Sequence, residues 1–152
     1  MTGLALVASE LPVHLLSEVT DRVHDRAGCA EVRFEWWREP ALLPVRWCGS
    51  LRLMPWGSKE RRSRLPQGSC LSSEQIAAGL LCHARPEEVV IPANYGFHRG
   101  TWFLIEEGVK GVLLPETPSG PVVYLLVEPA SNYYRNMTGQ SPMMPVFVNQ
   151  TI

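Results

Sequence analysis

With 152 residues, 45% of them apolar, the chain is long enough for one domain with a real core and too apolar to be disordered. Its net charge of −1 exerts no global pull on nucleic acid or anionic membrane, so any such contact needs a local basic patch. The 12 glycines and 13 prolines are high for a helical bundle and point to many turns between short strands. No apolar run reaches the roughly 18 residues of a transmembrane helix, and no membrane partner is expected. Met1–Val7 lacks the positive flank of a signal peptide. Cys29, Cys48, Cys70 and Cys82 form no CxxC pair, so neither a metal nor a cofactor is expected. Reduced thiols and a cytoplasmic location are the default for such a pattern.

Leu4–Ala8 reads as a first strand, almost at the terminus. Ser9 and Pro12 then open a predicted helix with Leu15, Leu16, Val19 and Val23 on one face, closed by Gly28. Glu31–Pro40, with Phe34, Trp36 and Trp37 among charges, reads as a loop or edge segment. Leu42–Trp47 and Leu51–Pro55 are predicted strands joined by a turn at Cys48-Gly49-Ser50. Trp56–Cys70 is polar and turn-rich, and Lys59, Arg61, Arg62 and Arg64 form the one basic cluster. Phosphates suit that cluster, and so does a solvated loop.

Ser72 and Gln75 fit a capping box that opens a short helix carrying Ile76, Ala77, Leu80 and Leu81 on one face. Val89–Ile91 is a buried strand that should stop at Pro92, which cannot donate to a ladder. A polar loop between Gly96 and Gly100, carrying His98 and Arg99, leads to a strand at Thr101–Ile105. Gly108–Leu114 and Val122–Val127 are strands. Pro129 opens a predicted helix running to Met137, and Met144–Val148 closes the chain. The whole is an α+β domain over 1–152: about eight mostly antiparallel strands in a barrel-like sheet, with about three short helices.

Several stretches together resemble the SOS response-associated peptidase family. Met1-Thr2-Gly3 stands where the family begins Met-Cys-Gly. Arg33-Phe34 with Ala41–Arg46 resembles its Arg-Tyr-Asn-x-Ala-Pro segment, and LRLMPWG at Leu51–Gly57 resembles the segment ending Arg-Trp-Gly. SCLSSEQ at Ser69–Gln75 falls at Ile-Asn-Ala-Arg-Ala-Glu-Thr. Val90–Phe97 resembles Leu-Val-Pro-Ala-x-Gly-Phe-Tyr-Glu-Trp, and Tyr124–Val146 resembles the late strand, helix and His-x-Arg-Met-Pro-Val. The resemblance implies a protein that holds single-stranded DNA in a damage response and links covalently to abasic sites. It also implies a site at Thr2, Cys70, Glu74, His98, Arg99 and Ser141. Most of those positions are substituted. The nucleophilic cysteine is Thr2, the asparagine is Cys70, the glutamate falls near His98–Arg99, the histidine is Ser141, and Glu74 alone is kept.

Chemistry at these positions is therefore altered or lost. If Met1 is removed, the Thr2 amine can form a Schiff base with an aldehyde, but a hydroxyl closes only a labile ring, so a durable crosslink is not expected. A thiol hydrolase using Cys70 is a further reading. Trp36, Trp37, Trp47, Trp56 and Trp102 offer base-stacking platforms beside Arg33, Arg46 and Arg99. Single-stranded or damaged DNA is the expected partner, and a protein partner on the same scaffold is the alternative.

Overall fold

The computed structural model describes residues 1–79, 81 and 83–150. In chain order the strands are β1 (Gly3–Val7), β2 (Val23–Arg26), β3 (Cys29–Glu35), β4 (Leu42–Trp47), β5 (Ser50–Pro55) and β6 (Cys70–Ser72). They continue as β7 (Glu87–Pro92), β8 (Tyr95–His98), β9 (Thr101–Leu104), β10 (Gly108–Leu114), β11 (Val122–Pro129) and β12 (Met143–Pro145). Three short helices, α1 (Val13–Leu16), α2 (Ser73–Ala77) and α3 (Asn132–Met137), join them. Leu80 and Cys82 lie outside the described residues, so the helical face drawn through Leu80 is not described beyond α2.

The strands form two sheets. One has the order β2-β3-β1-β8-β9, the other β12-β11-β10-β7-β4-β5, with β6 added in parallel to β11. All other strand pairs are antiparallel. The main core lies between the sheets, where Leu4, Leu6 and Phe34 of the first meet Leu43, Val45, Ile91 and Leu125 of the second. A smaller core of Leu71, Val112, Leu114, Tyr124 and Leu126 sits on the other face of the second sheet, with Ile76 of α2 packed on it.

The expected barrel is replaced by two open sheets. The second sheet curls until Trp56, just past β5, meets Val123 of β11 in one isolated parallel bridge. A barrel needs a ladder between its end strands rather than a single bridge.

Four elements differ from the sequence reading. The helix expected to run to Gly28 is one turn, α1, because Val23 joins β2 and Ala27-Gly28 is a hairpin turn. Glu31–Pro40 divides in two: its first half, through Glu35, belongs to β3, an interior strand that buries Val32 and Phe34, while residues 36–40 are turn and bend as expected. The polar loop at His98 is itself strand β8, and Pro129 ends β11 while Ser131 caps α3.

One device recurs. The hairpins β2–β3, β4–β5 and β8–β9 each turn on two residues with positive φ: Ala27-Gly28, Cys48-Gly49 and Arg99-Gly100. Such turns match the twist of the flanking strands, and glycine takes the second position without steric cost.

Candidate functional site

Strand β8 alternates its side chains. Tyr95 and Phe97 lie on the outer face, and Gly96 and His98 turn inward. In register, Gly3 of β1 pairs with Phe97 and Leu4 with Gly96. The chain start is thereby laid beside His98, with the Thr2 N–H donating to the Phe97 carbonyl at 2.9 Å. Met1 is buried over Gly96, where an added Cβ would come within 2.6 Å of its Sδ and would also strike the Phe103 ring. The absence of a side chain at Gly96 is what makes room for residue 1.

Around this point four other segments arrive. Strand β6 brings Cys70, partly buried and packed on the main core, its Sγ 3.2 Å from the Ser69 hydroxyl. The β8–β9 turn brings Arg99, whose Nη1 donates to the Gly139 carbonyl at 2.8 Å and so ties the turn to the loop after α3. Helix α3 brings Tyr134, fully buried, with its ring centroid 6.3 Å from that of His98 and edge-on to Phe103 at 5.6 Å. The loop after α3 holds Ser141, buried, its hydroxyl donating to the Met143 carbonyl at 2.9 Å.

The polar atoms here are short of partners. Both ring nitrogens of His98 and the Tyr134 hydroxyl are buried without a hydrogen bond among the described residues. A buried polar group without a partner is costly, and such groups cluster where a ligand or water completes them. Burial, then the nearby α-amine and Arg99, lower the His98 imidazole to about 4, so it is neutral at pH 7. Burial also pushes the Met1 amine below its ordinary value; the Cys70 sulfur partly opposes this and Arg99 adds to it. Tyr134 is raised by burial and by Cys70. The amine, Cys70, His98, Arg99 and Tyr134 thus form one electrostatic cluster. An amine with a lowered pKa carries more free base at neutral pH, which is the nucleophilic form.

The remaining expected residues separate. Glu74 stands exposed in the first turn of α2, behind the Ser72–Gln75 capping box, and its carboxylate makes no hydrogen bond or ion pair among the described residues. Trp56, expected as a stacking platform, is a core ring; its Nε1 donates to the Ser69 carbonyl at 3.0 Å and Trp36 packs against it edge-on. Trp47 lies under Arg52 at the β4–β5 hairpin. Arg46 is exposed in a depression of the second sheet shared with Glu10, Glu88, Glu106 and Glu107, an acidic surround unsuited to phosphate. Lys59 is paired with Glu39 and lies over the Trp36 ring.

Arg61, Arg62 and Arg64 are exposed on a loop closed at its base by paired hydrogen bonds between Ser58 and Gly68, two residues before Cys70. Arg33 belongs to the outer face of the first sheet. There Arg26 and Arg33 both pair with buried Glu31 and stack on Trp102, and Phe97 links Trp102 to exposed Trp37. Burial works to raise the Glu31 carboxyl, but the two guanidiniums outweigh it and hold it low.

Sequence reasoning missed two members of the cluster. Met1 counted only as a residue to be removed, and Tyr134 counted as a helix core position. Neither carries a motif; their place follows from the β1–β8 register and from α3 packing on Phe103. Among the described residues no group of three or more His, Cys, Asp or Glu is placed to hold a metal, and no helix is long and apolar enough to cross a membrane. No protein-family model matches the chain, and neither the curated proteins nor the solved structures hold a similar one.

Proposed function

We propose that the protein captures aldehydes, abasic sites in single-stranded DNA above all, through its terminal amine, as a divergent relative of the SOS response-associated peptidase family. The observation that carries this reading is the convergence of the chain start with Cys70, His98, Arg99 and the loop holding Ser141. These are the segments that the resemblance assigns to one cleft, and they are far apart in the chain. The lowered amine pKa, the neutral His98 and the unpartnered Tyr134 hydroxyl suit condensation of an amine with a carbonyl and loss of the hydroxyl as water. Removal of Met1 passes the role to Thr2, whose nitrogen is already held by the Phe97 carbonyl. The exposed arginines at 61, 62 and 64 supply phosphate contacts on a loop rooted beside Cys70.

The test is incubation with single-stranded DNA carrying an abasic site, with and without borohydride. A borohydride-dependent adduct that disappears when the terminal amine is acetylated is the expected result. No adduct at all removes the reading.

A second reading, a protein-interaction domain, is favoured by the outer face of the first sheet. Its rings Tyr95, Phe97 and Trp102 continue to exposed Trp37, and both of its arginines are engaged by the one Glu31, which offsets half of their charge. Binding there would depend little on salt, whereas DNA binding through the arginine loop falls steeply with it.

A further inference from the structure

Strand β9 ends the first sheet, and among the described residues no strand pairs with its outer edge. The two-residue turn at Arg99-Gly100 makes His98 and Thr101 the closing hydrogen-bonded pair. Thr101 and Phe103 therefore bond to β8, and the Ile105 N–H, donating to the Asn94 carbonyl at 2.8 Å, continues that series. Trp102 and Leu104 stand between these positions, so their N–H and C=O groups point out from the sheet. The other ends of the two sheets are blunted by charge or proline: β2 carries Asp25 and Arg26, β5 carries Arg52 and Pro55, and β12 ends in Pro145. Thr101–Leu104 carries neither. An open edge of this kind is a template for another strand.

Leu104 lies opposite Tyr95 and Trp102 opposite Phe97, so both stand on the outer face, and Leu104 is 63% exposed. Beside this edge the face carries positive charge. Between β3 and β8 the outward positions of β1 are Gly3 and Ala5, small enough for long side chains to cross. Arg33 lies 5.1 Å from the Trp102 ring centroid and Arg26 lies 4.7 Å from it. Glu31 pairs with both but offsets only one, and among the described residues Glu35, further along β3, pairs with neither. One guanidinium charge is left over the Trp102 ring, on side chains each 25% exposed.

We propose that the β9 edge takes an extended peptide as a sixth strand, antiparallel to β9. An aliphatic side chain of the peptide lies opposite Leu104, and a carboxylate two residues later lies opposite Trp102. This rests on the reading of the outer face as a protein-interaction surface and is independent of aldehyde capture. The direction follows the first sheet, in which every pair is antiparallel. The same two peptide residues exchange backbone hydrogen bonds with Leu104 and Trp102. One strand spacing, about 4.8 Å, puts the carboxylate beside the ring on which the guanidiniums lie. Main-chain bonds supply affinity, and the aliphatic–carboxylate spacing supplies selectivity. A second copy of β9 would bring only Thr, Trp, Phe and Leu to the edge, with no carboxylate for the arginines.

The probe is the end-blocked heptapeptide Thr-Thr-Leu-Thr-Glu-Thr-Thr, titrated into the isotope-labelled full chain and followed by NMR. It is taken to about 5 mM, which fills most of a site of about 1 mM affinity. The Trp102 and Leu104 amides are expected to shift and to gain protection from hydrogen exchange. Glutamine in place of the peptide's glutamate is expected to weaken binding about threefold, as one exposed charge contact allows. N-methylation of the peptide's leucine and glutamate is expected to abolish binding. Leu104→Pro removes an outward N–H without taking a bond from the β8–β9 ladder, and is expected to abolish binding that Leu104→Ala only weakens. Shifts at Trp37 and Phe97 with the Trp102 and Leu104 amides unmoved overturn strand addition and leave the interaction surface standing. Equal affinity of the glutamate and glutamine peptides overturns the carboxylate contact. Edge shifts that grow with protein concentration before peptide is added overturn the proposal in favour of a second copy. No response anywhere on the outer face overturns both the proposal and the reading beneath it.

Discussion

His98 is the residue whose state is most sharply set by its surroundings. Held near 4 in the folded protein against 6.5 for a free imidazole, it stays neutral where an unfolded chain would take up a proton. Folded stability is therefore fully supported above pH 6.5 and is lost as pH falls from there towards 4. Urea midpoints measured between pH 7 and 4 should fall more steeply for the wild type than for His98→Gln, which has nothing to titrate in that range. Equal slopes would mean that the imidazole is not held neutral. The sequence pointed to position 98 through the polar loop read around it and through the resemblance. That its ring nitrogens are buried without partners depends on β8 being a strand, which turns every second residue inward. A polar string between two glycines carries no mark of that, since His98 and Arg99 equally suit a solvated loop.

At the scale of elements, the loop from Gly57 to Ser69 is the most informative. Gly57 has a φ of 62°, and a Cβ there would run into the Gly68 carbonyl, so the base of the loop closes only with glycine. The Tyr124 hydroxyl, raised to about 12 by burial, donates to the Pro66 carbonyl at 2.6 Å and pins the loop to the second sheet. The arginines are displayed on a fixed support. Replacing Arg61, Arg62 and Arg64 by glutamine should weaken binding to an abasic single strand and lower the slope of log affinity against log salt by about 2, at roughly 0.7 per phosphate contact. A fluorescence-anisotropy salt titration measures both, and an unchanged slope would remove the loop from the interface. The basic cluster and the Ser72–Gln75 capping box were both legible, because each is a local pattern. The one-turn helix α1 was not: Leu15, Leu16, Val19 and Val23 keep helical spacing, but pairing of Val23 with Val32 in the β2–β3 ladder overrides it.

For the molecule as a whole, the shared core predicts how it unfolds. The two sheets meet in one core, and Trp56 joins β5 to β11 at its edge. Tryptophan fluorescence and far-ultraviolet circular dichroism should report coincident denaturant transitions, as one cooperative unit requires; separated transitions would mean that the sheets unfold independently. By itself the sequence determined most strands from β4 onward, the turn at Cys48-Gly49, the stop at Pro92 and the α2 cap. Each rests on residue alternation or turn chemistry within a few positions. Only the tertiary structure decided that two open sheets form rather than a barrel, that Trp56 is core, and that Arg46 lies among glutamates. It also decided that the chain start, His98 and Tyr134 lie together, with Cys70 packed against the same core. Those outcomes depend on register and sheet order between segments separated by tens of residues, which no local pattern encodes.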